Sequence, residues 1–355
     1  MSQNNHHQEA VALLTRLIAT PSFSKEEQGT ALLMQQSLQQ KGIRTERLRN
    51  NIWAKNLHFD PAKRTLLLHS HHDTVRPNKQ YTLDPFQPLQ RDGKLYGLGS
   101  NDAGASLVSL QTAFRHFYDK KDLSYNLIFA AGAEEEISGP DGVESLLPEL
   151  GKIDCAIVGE PTGMQMAIAE KGLLVLDCVT HGQAGHAARN EGENAIYKAL
   201  PDIAWFQAFQ FPKVSDVLGP VKMSLTMIQA GVQHNIVPAE CRFTVDIRVN
   251  DCYAHEEILD IVRQHVSCDV TPRSMRLRAS CIPQTHPLVE AGASLGLPSF
   301  GSATMSDKAL MPFPALKIGP GDSARSHSAD EYIGVVEIEE GIDIYIALLE
   351  KILQP

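Results

Sequence analysis

The sequence predicts an α/β protein: a mixed, largely parallel sheet flanked by helices, with a smaller α+β unit inserted into it. Three observations predict this. Short apolar runs alternate with helix-period stretches over residues 1–172. From 173 to 280 the texture changes to longer, half-exposed strands with two helical stretches between them. From 281 to 355 the first texture returns. The large domain is therefore expected in two parts, 1–172 and 281–355, around an inserted domain at 173–280.

Each element has a local reason. Val11, Leu14, Leu17 and Ile18 recur at helical spacing, and Pro21 ends that helix. Ser24 and Glu27 form an S-x-x-E pattern, which predicts a capped second helix that stops near Gly42. TLLLHSH (65–71), LIFAAG (127–132) and CAIVGE (155–160) read as short buried strands, and a helix is expected from about Ala105 to Tyr118. In the insert, LLVLDCVTH (173–181), VKMSLTMI (221–228) and CRFTVDIRV (241–249) alternate as strands, with helices over 193–210 and 254–266. A helix (286–295), a strand (315–319) and a closing helix (335–353) complete the large domain.

Composition narrows the function. Among 355 residues, 43% are hydrophobic and 21% charged, as in ordinary globular chains. The formal net charge of -10 argues against nucleic acid or an anionic membrane as partner. No apolar run approaches the ~18 residues of a membrane span. The opening MSQNNHHQEAVALL does not read as a secretory signal, and the six scattered cysteines, without C-x-x-C, read as reduced core thiols. A cytoplasmic location is the expectation. The 14 histidines are the conspicuous count, because several stand beside carboxylates at strand ends.

Five such places matter. His71 and Asp73 lie two apart in an extended strand, so both reach one side and Asp73 can accept the free imidazole N–H. His69 and His72 are assigned to packing or solvent. Asp102, in YGLGSNDAGAS, is either a helix N-cap or a carboxylate shared by two cations. Glu134-Glu135-Glu136 follows a buried strand directly, and such a triplet repels itself unless a cation or proton intervenes; a solvated acidic loop is the alternative. Glu160 closes a strand, and His327 stands in the small-residue loop GPGDSARSHSADEY. Two histidines and three carboxylates at the loop ends of one α/β sheet suit two borderline ions such as zinc, with Asp102 between them. Gly292-Ala293-Ser294-Leu295-Gly296 matches G-x-S-x-G, but it lies in a helical segment rather than a strand–turn–helix elbow.

The ordered series H-x-D, G-x-x-D, E-E, G-E-P-T and G-P-G…H resembles the two-zinc aminoacylase and carboxypeptidase family of metallopeptidases. It is most similar to the acetylornithine deacetylase and succinyl-diaminopimelate desuccinylase branch. The resemblance covers nearly the whole chain and implies a zinc-peptidase-like fold whose insert is a lid and dimerisation domain. It implies that His71 and Glu160 bind one zinc, Glu136 and His327 the other, and that Asp102 bridges, with Co2+ or Mn2+ as substitutes. Asp73 would orient His71, and Glu135 would be the general base, in the register where Ile137-Ser138-Gly139 follows the pair. His186, in Gly185-His186-Ala187, would act on the partner subunit of a homodimer; Asn235, Arg248, Gly319 and Gly321 would contact substrate. The family's D-M-K-G is here Asp102-Ala103-Gly104-Ala105, and a cis Asp102–Ala103 bond is implied.

The activity implied is hydrolysis of an N-acyl amino acid, first of all deacetylation of N-acetyl-L-ornithine (or N-succinylornithine) in arginine biosynthesis. Succinyl-diaminopimelate desuccinylase is the alternative, followed by a dipeptidase or carboxypeptidase. A binding protein that kept the fold but lost catalysis is the reading from outside the enzymes; it would be marked by a missing ligand or base, and all are present.

Overall fold

The structure, a computed structural model, describes residues 3–189 and 191–354. Two compact units divide the chain. One comprises Met1–Ile168, Ile282–Phe300 and Ser306–Pro355, and the other Ala169–Cys281 and Gly301–Met305.

In chain order, the larger unit begins with helices α1 (Gln3–Ile18) and α2 (Gln28–Gln39) and strands β1 (Glu46–Leu48), β2 (Asn51–Lys55) and β3 (Arg64–His71). Helix α3 (Ala105–Phe117), β4 (Tyr125–Gly132), α4 (Val143–Leu150), β5 (Cys155–Val158) and β6 (Met166–Glu170) follow. The smaller unit holds β7 (Gly172–His181), α5 (Ala195–Ala208), β8 (Lys222–Ala230), β9 (Glu240–Val249), α6 (His255–His265) and β10 (Asp269–Pro272). The chain then returns through α7 (Pro287–Ser294), β11 (Ala315–Lys317) and α8 (Val335–Leu353).

The main sheet runs β1-β2-β4-β3-β5-β11-β6. Its centre is parallel: β3 pairs with β4 and β5, and β5 with β11. Both faces are covered, so its strands read as apolar runs rather than alternations. Leu66 and Leu68 face a core shared with α1, α3 and α8, while Leu67 joins the core under α4. Burying one such leucine fully is worth roughly 1.5–3 kcal/mol. By strand parity, His69 and His71 follow Leu67 onto the α4 face. Helix α8 buries Ile338, Ile342, Tyr345, Leu348 and Ile352 at helical spacing against the first core.

In the smaller unit, an antiparallel sheet ordered β8-β9-β7-β10 alternates strictly along β7, and α5 and α6 cover its buried face.

Two sequence expectations need correction. Helix α2 begins at Gln28, and neither Ser24 nor Glu27 caps it. Both side chains are engaged elsewhere: the Ser24 hydroxyl donates to Asp73 Oδ2 at 2.7 Å, and Glu27 Oε1 accepts from Glu134 N at 3.2 Å. Of the six free cysteines, Cys252 and Cys281 are exposed rather than buried. Ser294 ends α7, and its hydroxyl donates to Ala291 O at 2.7 Å, so the G-x-S-x-G segment is no nucleophile elbow.

Candidate metal centre

His71 ends β3 and is 1% exposed. Its Nδ1 lies 3.0 Å from the Asp73 carbonyl oxygen and 3.5 Å from Asp73 Oδ1. The backbone carbonyl, rather than the expected carboxylate, is thus the nearer acceptor. The carboxylate is occupied by three other donors: Ser24 Oγ, Glu135 N at 3.0 Å and Glu136 N at 3.2 Å. Asp73 therefore holds the turn that carries both glutamates. Donation from Nδ1–H leaves Nε2 as the nitrogen free to bind a metal.

Around that Nε2 stand Asp102 Oδ1 at 3.4 Å, Glu160 Oε1 at 3.7 Å and Glu135 Oε2 at 3.9 Å. Asp102 turns its other oxygen to the second histidine, Oδ2 lying 3.7 Å from His327 Nε2. His327 Nε2 is also 2.9 Å from Glu136 Oε2. Asp102 does not cap α3, whose N-terminal flank is Gly104 without a side-chain cap. It sits in an irregular turn, Ser100–Gly104, and the Asp102–Ala103 peptide is cis.

The acidic triplet divides. Glu134 adopts φ 56° and is buried, and its Oε2 accepts from Asp141 N at 3.4 Å. Glu135 and Glu136, in a single 3-10 turn, reach the His71 and His327 sides respectively. Glu160 lies just beyond β5, in a loop pressed against Gly319–Gly321. A Cβ on Gly319 would come within 2.5 Å of Glu160 O, and one on Gly321 within 2.5 Å of Asn101 Oδ1. Packing of the chain against itself thus leaves no room for a side chain at either glycine.

The electrostatics follow from burying this many charges together. Burial opposes a charged His71, yet Glu135, Asp102, Asp73 and Glu160 outweigh it and raise its pKa well above the usual value. Burial, reinforced by Glu160, Asp307 and Glu136, pushes Glu135 well above the carboxylate range. The Glu136 hydrogen bond lifts His327 to about 9. His71 Nε2 is buried without a hydrogen-bond partner, at the focus of three carboxylates. Two three-residue sets, His71–Asp102–Glu136 and His71–Glu135–Glu160, converge closely enough to hold an ion. An orphaned imidazole nitrogen among carboxylate oxygens is what a borderline divalent cation satisfies, so the residues fit a metal.

The remaining expected site residues lie in the smaller unit. His186 and Asn235 are neighbours on one ribbon: Gly185–His186 pairs with Ile236–Val237, and Ala187 N donates to Asn235 O at 3.0 Å. Both side chains are exposed. Arg248, on β9, already spends its fork on Asp246, with Nε–Oδ1 at 2.8 Å and Nη2–Oδ2 at 3.1 Å.

Residues 67–351 match the profile of peptidase family M20/M25/M40. The chain belongs to that family. It is a metal-dependent hydrolase acting on amides, which removes the non-catalytic reading. It is 28% identical over 377 residues to succinyl-diaminopimelate desuccinylase of Stenotrophomonas maltophilia (strain R551-3), covering 96% of this chain and 98% of that one. It is 25% identical over 384 residues to succinyl-diaminopimelate desuccinylase 2 of Ruegeria sp. (strain TM1040), covering 97% and 95%. Among solved structures, the fold matches the M20 family metallo-carboxypeptidase Sso-CP2 from Sulfolobus solfataricus with a TM-score of 0.78 at 16% identity, over 97% and 99% of the two chains. It also matches the Bacillus subtilis YXEP protein, a dinuclear metal binding peptidase from the M20 family, with a TM-score of 0.74 at 15% identity, over 98% of each.

Sequence reasoning missed several residues of this M20 centre. The Glu331 side chain, 2% exposed, accepts three backbone N–H groups of the Asp102 turn on its carboxylate; burial still pushes its carboxyl up to about 7. His69, assigned to packing, is buried with Nε2 2.7 Å from Asp307 Oδ2, and Asp307 in turn faces Glu135 electrostatically. His72 is packed as expected, between Thr30 Oγ1 and Asn50 O, each 2.9 Å away. Period-2 parity signals His69; nothing local in the sequence signals Asp307 or Glu331.

Proposed function

We propose that this M20 hydrolase removes the succinyl group from an N-succinylated amino acid of the diaminopimelate type, with two zinc ions as cofactor. The observation that carries the hydrolytic reading is the placement of Glu135 beside two half-sites that share Asp102, His71 with Glu160 on one side and Glu136 with His327 on the other. The substrate class rests on the similar desuccinylases, which match along nearly their full lengths. Those relatives are named for desuccinylation, so the succinyl compound displaces the acetylornithine first expected, and with it arginine biosynthesis.

His71 and Glu160 would hold one ion, Glu136 and His327 the other, and Asp102 both. When bound, such a pair would supply Lewis acidity, polarising an amide carbonyl and acidifying water. Glu135 takes a proton from the attacking water onto its carboxylate and returns it to the amide nitrogen as that bond breaks, giving a free amine and a carboxylate. Burial and the neighbouring carboxylates raise its pKa above the carboxylate range, which makes Glu135 a stronger base than an exposed glutamate. Asn235 and Arg248 bind a substrate carboxylate, for which Arg248 must exchange its Asp246 partner.

The protein works as a homodimer through the smaller unit, and His186 completes the partner's site. Edge strand β8 exposes Leu225, Met227 and Ile228, with Tyr197 and Leu200 of the adjoining α5 also exposed, an apolar strip that a second copy would cover. Cobalt or manganese would substitute for zinc. Among the described residues no helix is long and apolar enough to cross a membrane.

Initial rates of the zinc-loaded protein on N-succinyl-LL-diaminopimelate, N-succinyl-L-ornithine and N-acetyl-L-ornithine test the reading. The highest kcat/KM is expected on the first. A preference for acetylornithine, or no turnover of any succinyl compound, would overturn it.

A further inference from the structure

The turn that carries Asp102 has few hydrogen bonds of its own. Of the six successive N–H groups from Gly97 to Asp102, one stays within the turn, Ser100 donating to Gly97 O, and Leu98 donates to Pro85 O. The other four all go to Glu331. Gly97 N donates to its carbonyl oxygen at 2.9 Å, Gly99 N to Oε2 at 3.1 Å, and Asn101 N and Asp102 N to Oε1 at 2.8 and 2.9 Å. Glu331 is 2% exposed, so water does not offer these groups an easy substitute.

Glu331 also lies four residues beyond His327, in a segment tied down on its other side. Asn78 Nδ2 donates to His327 O at 3.1 Å, and the Asp330 carboxylate accepts from Thr82 N and Leu83 N at 2.8 and 2.9 Å. His327 and Asp330 both adopt positive φ, a conformation that non-glycine residues hold only when their surroundings dictate it. One buried carboxylate thus joins two segments far apart in sequence, each delivering one expected ligand.

We propose that Glu331 is a positioning residue for the metal pair: it sets the Asp102 turn against the His327 loop, so that one carboxylate can serve both histidines. Asp102 must present Oδ1 to His71 and Oδ2 to His327, at 3.4 and 3.7 Å, and a small backbone rotation over 99–102 would spoil both at once. The inference rests on Asp102 being the shared ligand.

The test is zinc affinity, measured by competition with a chromogenic chelator and without substrate, for the wild type, Glu331→Gln, Glu331→Asp, Asp102→Ala and Leu348→Ala. Glutamine retains one acceptor oxygen but sets an amide N–H against a backbone N–H. Aspartate keeps the charge but is too short to meet all three donors. Both are expected to weaken zinc binding about 10- to 100-fold, as loss of a group orienting a ligand does, and to lower kcat with little change in KM. Leu348→Ala, a cavity under α8, should lower Tm without moving zinc affinity. If both Glu331 variants lose Tm but bind zinc like the wild type, the residue is merely structural and the inference fails. If Asp102→Ala itself binds both ions normally, the ligand assignment fails instead.

Discussion

The two halves of the metal centre are built from different material. His71 and Glu160 stand at the ends of adjacent parallel strands, and His71 is 1% exposed with its ring fixed by the Asp73 carbonyl. Glu136 and His327 stand on a 3-10 turn and a loop, and the His327 side chain is 56% exposed. One half is set by the sheet; the other depends on hydrogen bonds between loops. An ion on the sheet side should be held in a preformed, dry site, and an ion on the loop side should exchange more readily.

The largest expected effect concerns the glutamate beside the sheet half. Glu135→Gln should lower kcat by roughly 10²–10⁴-fold while metal content stays that of the wild type. A loss below tenfold in kcat would remove Glu135 from the proton transfer.

Metal stoichiometry sharpens the comparison next. His327→Ala should keep one tightly held ion per chain and lose the other, whereas His71→Ala, which removes the buried donor, should leave neither bound tightly. Atomic emission after gel filtration distinguishes them, and identical stoichiometry in the two variants would mean that the halves are equivalent.

The two halves should also answer pH in opposite senses. His72, packed beside the sheet half, is pushed down to about 4 by burial. Its stabilising contribution is complete above its unfolded value near 6.5 and is lost as pH falls through 4, up to roughly 3 kcal/mol. His327 is raised to about 9 by Glu136, so in metal-free protein its contribution is complete below 6.5 and lost as pH rises through 9. Because that side chain is more than half exposed, solvent screening limits it to about 1 kcal/mol or less. Thermal unfolding of metal-free wild type, His72→Gln and His327→Gln from pH 4 to 9 would show both slopes, and a His72→Gln variant with the wild-type acid limb would sink the first.

The smallest effect is expected at Ser24. Ser24→Ala removes one of three donors to Asp73, worth about 1 kcal/mol, and should cost a few-fold in kcat with metal content intact. No change in kcat would mean that Asp73 holds the glutamate turn without it.

The same contrast explains what could be read from the sequence. The sheet half is visible as apolar runs that end in His71 and Glu160, because a strand buried on both faces must be apolar and must end where polar residues begin. The loop half has no such period. Glu136 and His327 stood out only as members of an acidic triplet and a small-residue loop, and the ordered motifs gave the 135/136 register; in the fold Glu134 turns toward the Asp141 backbone. Ser24 and Glu27 were read as a helix cap because their spacing is that of a cap; long-range partners claimed both side chains instead. Glu331 and Asp307 act across more than 200 residues of sequence, on backbone or side chains that no local pattern announces.

The most direct test is anomalous diffraction from crystals of the zinc-loaded protein. Two peaks about 3.5–4 Å apart are expected astride Asp102, one against His71 and Glu160 and the other against Glu136 and His327. A single peak, or two peaks that do not share Asp102, would contradict the two-ion account.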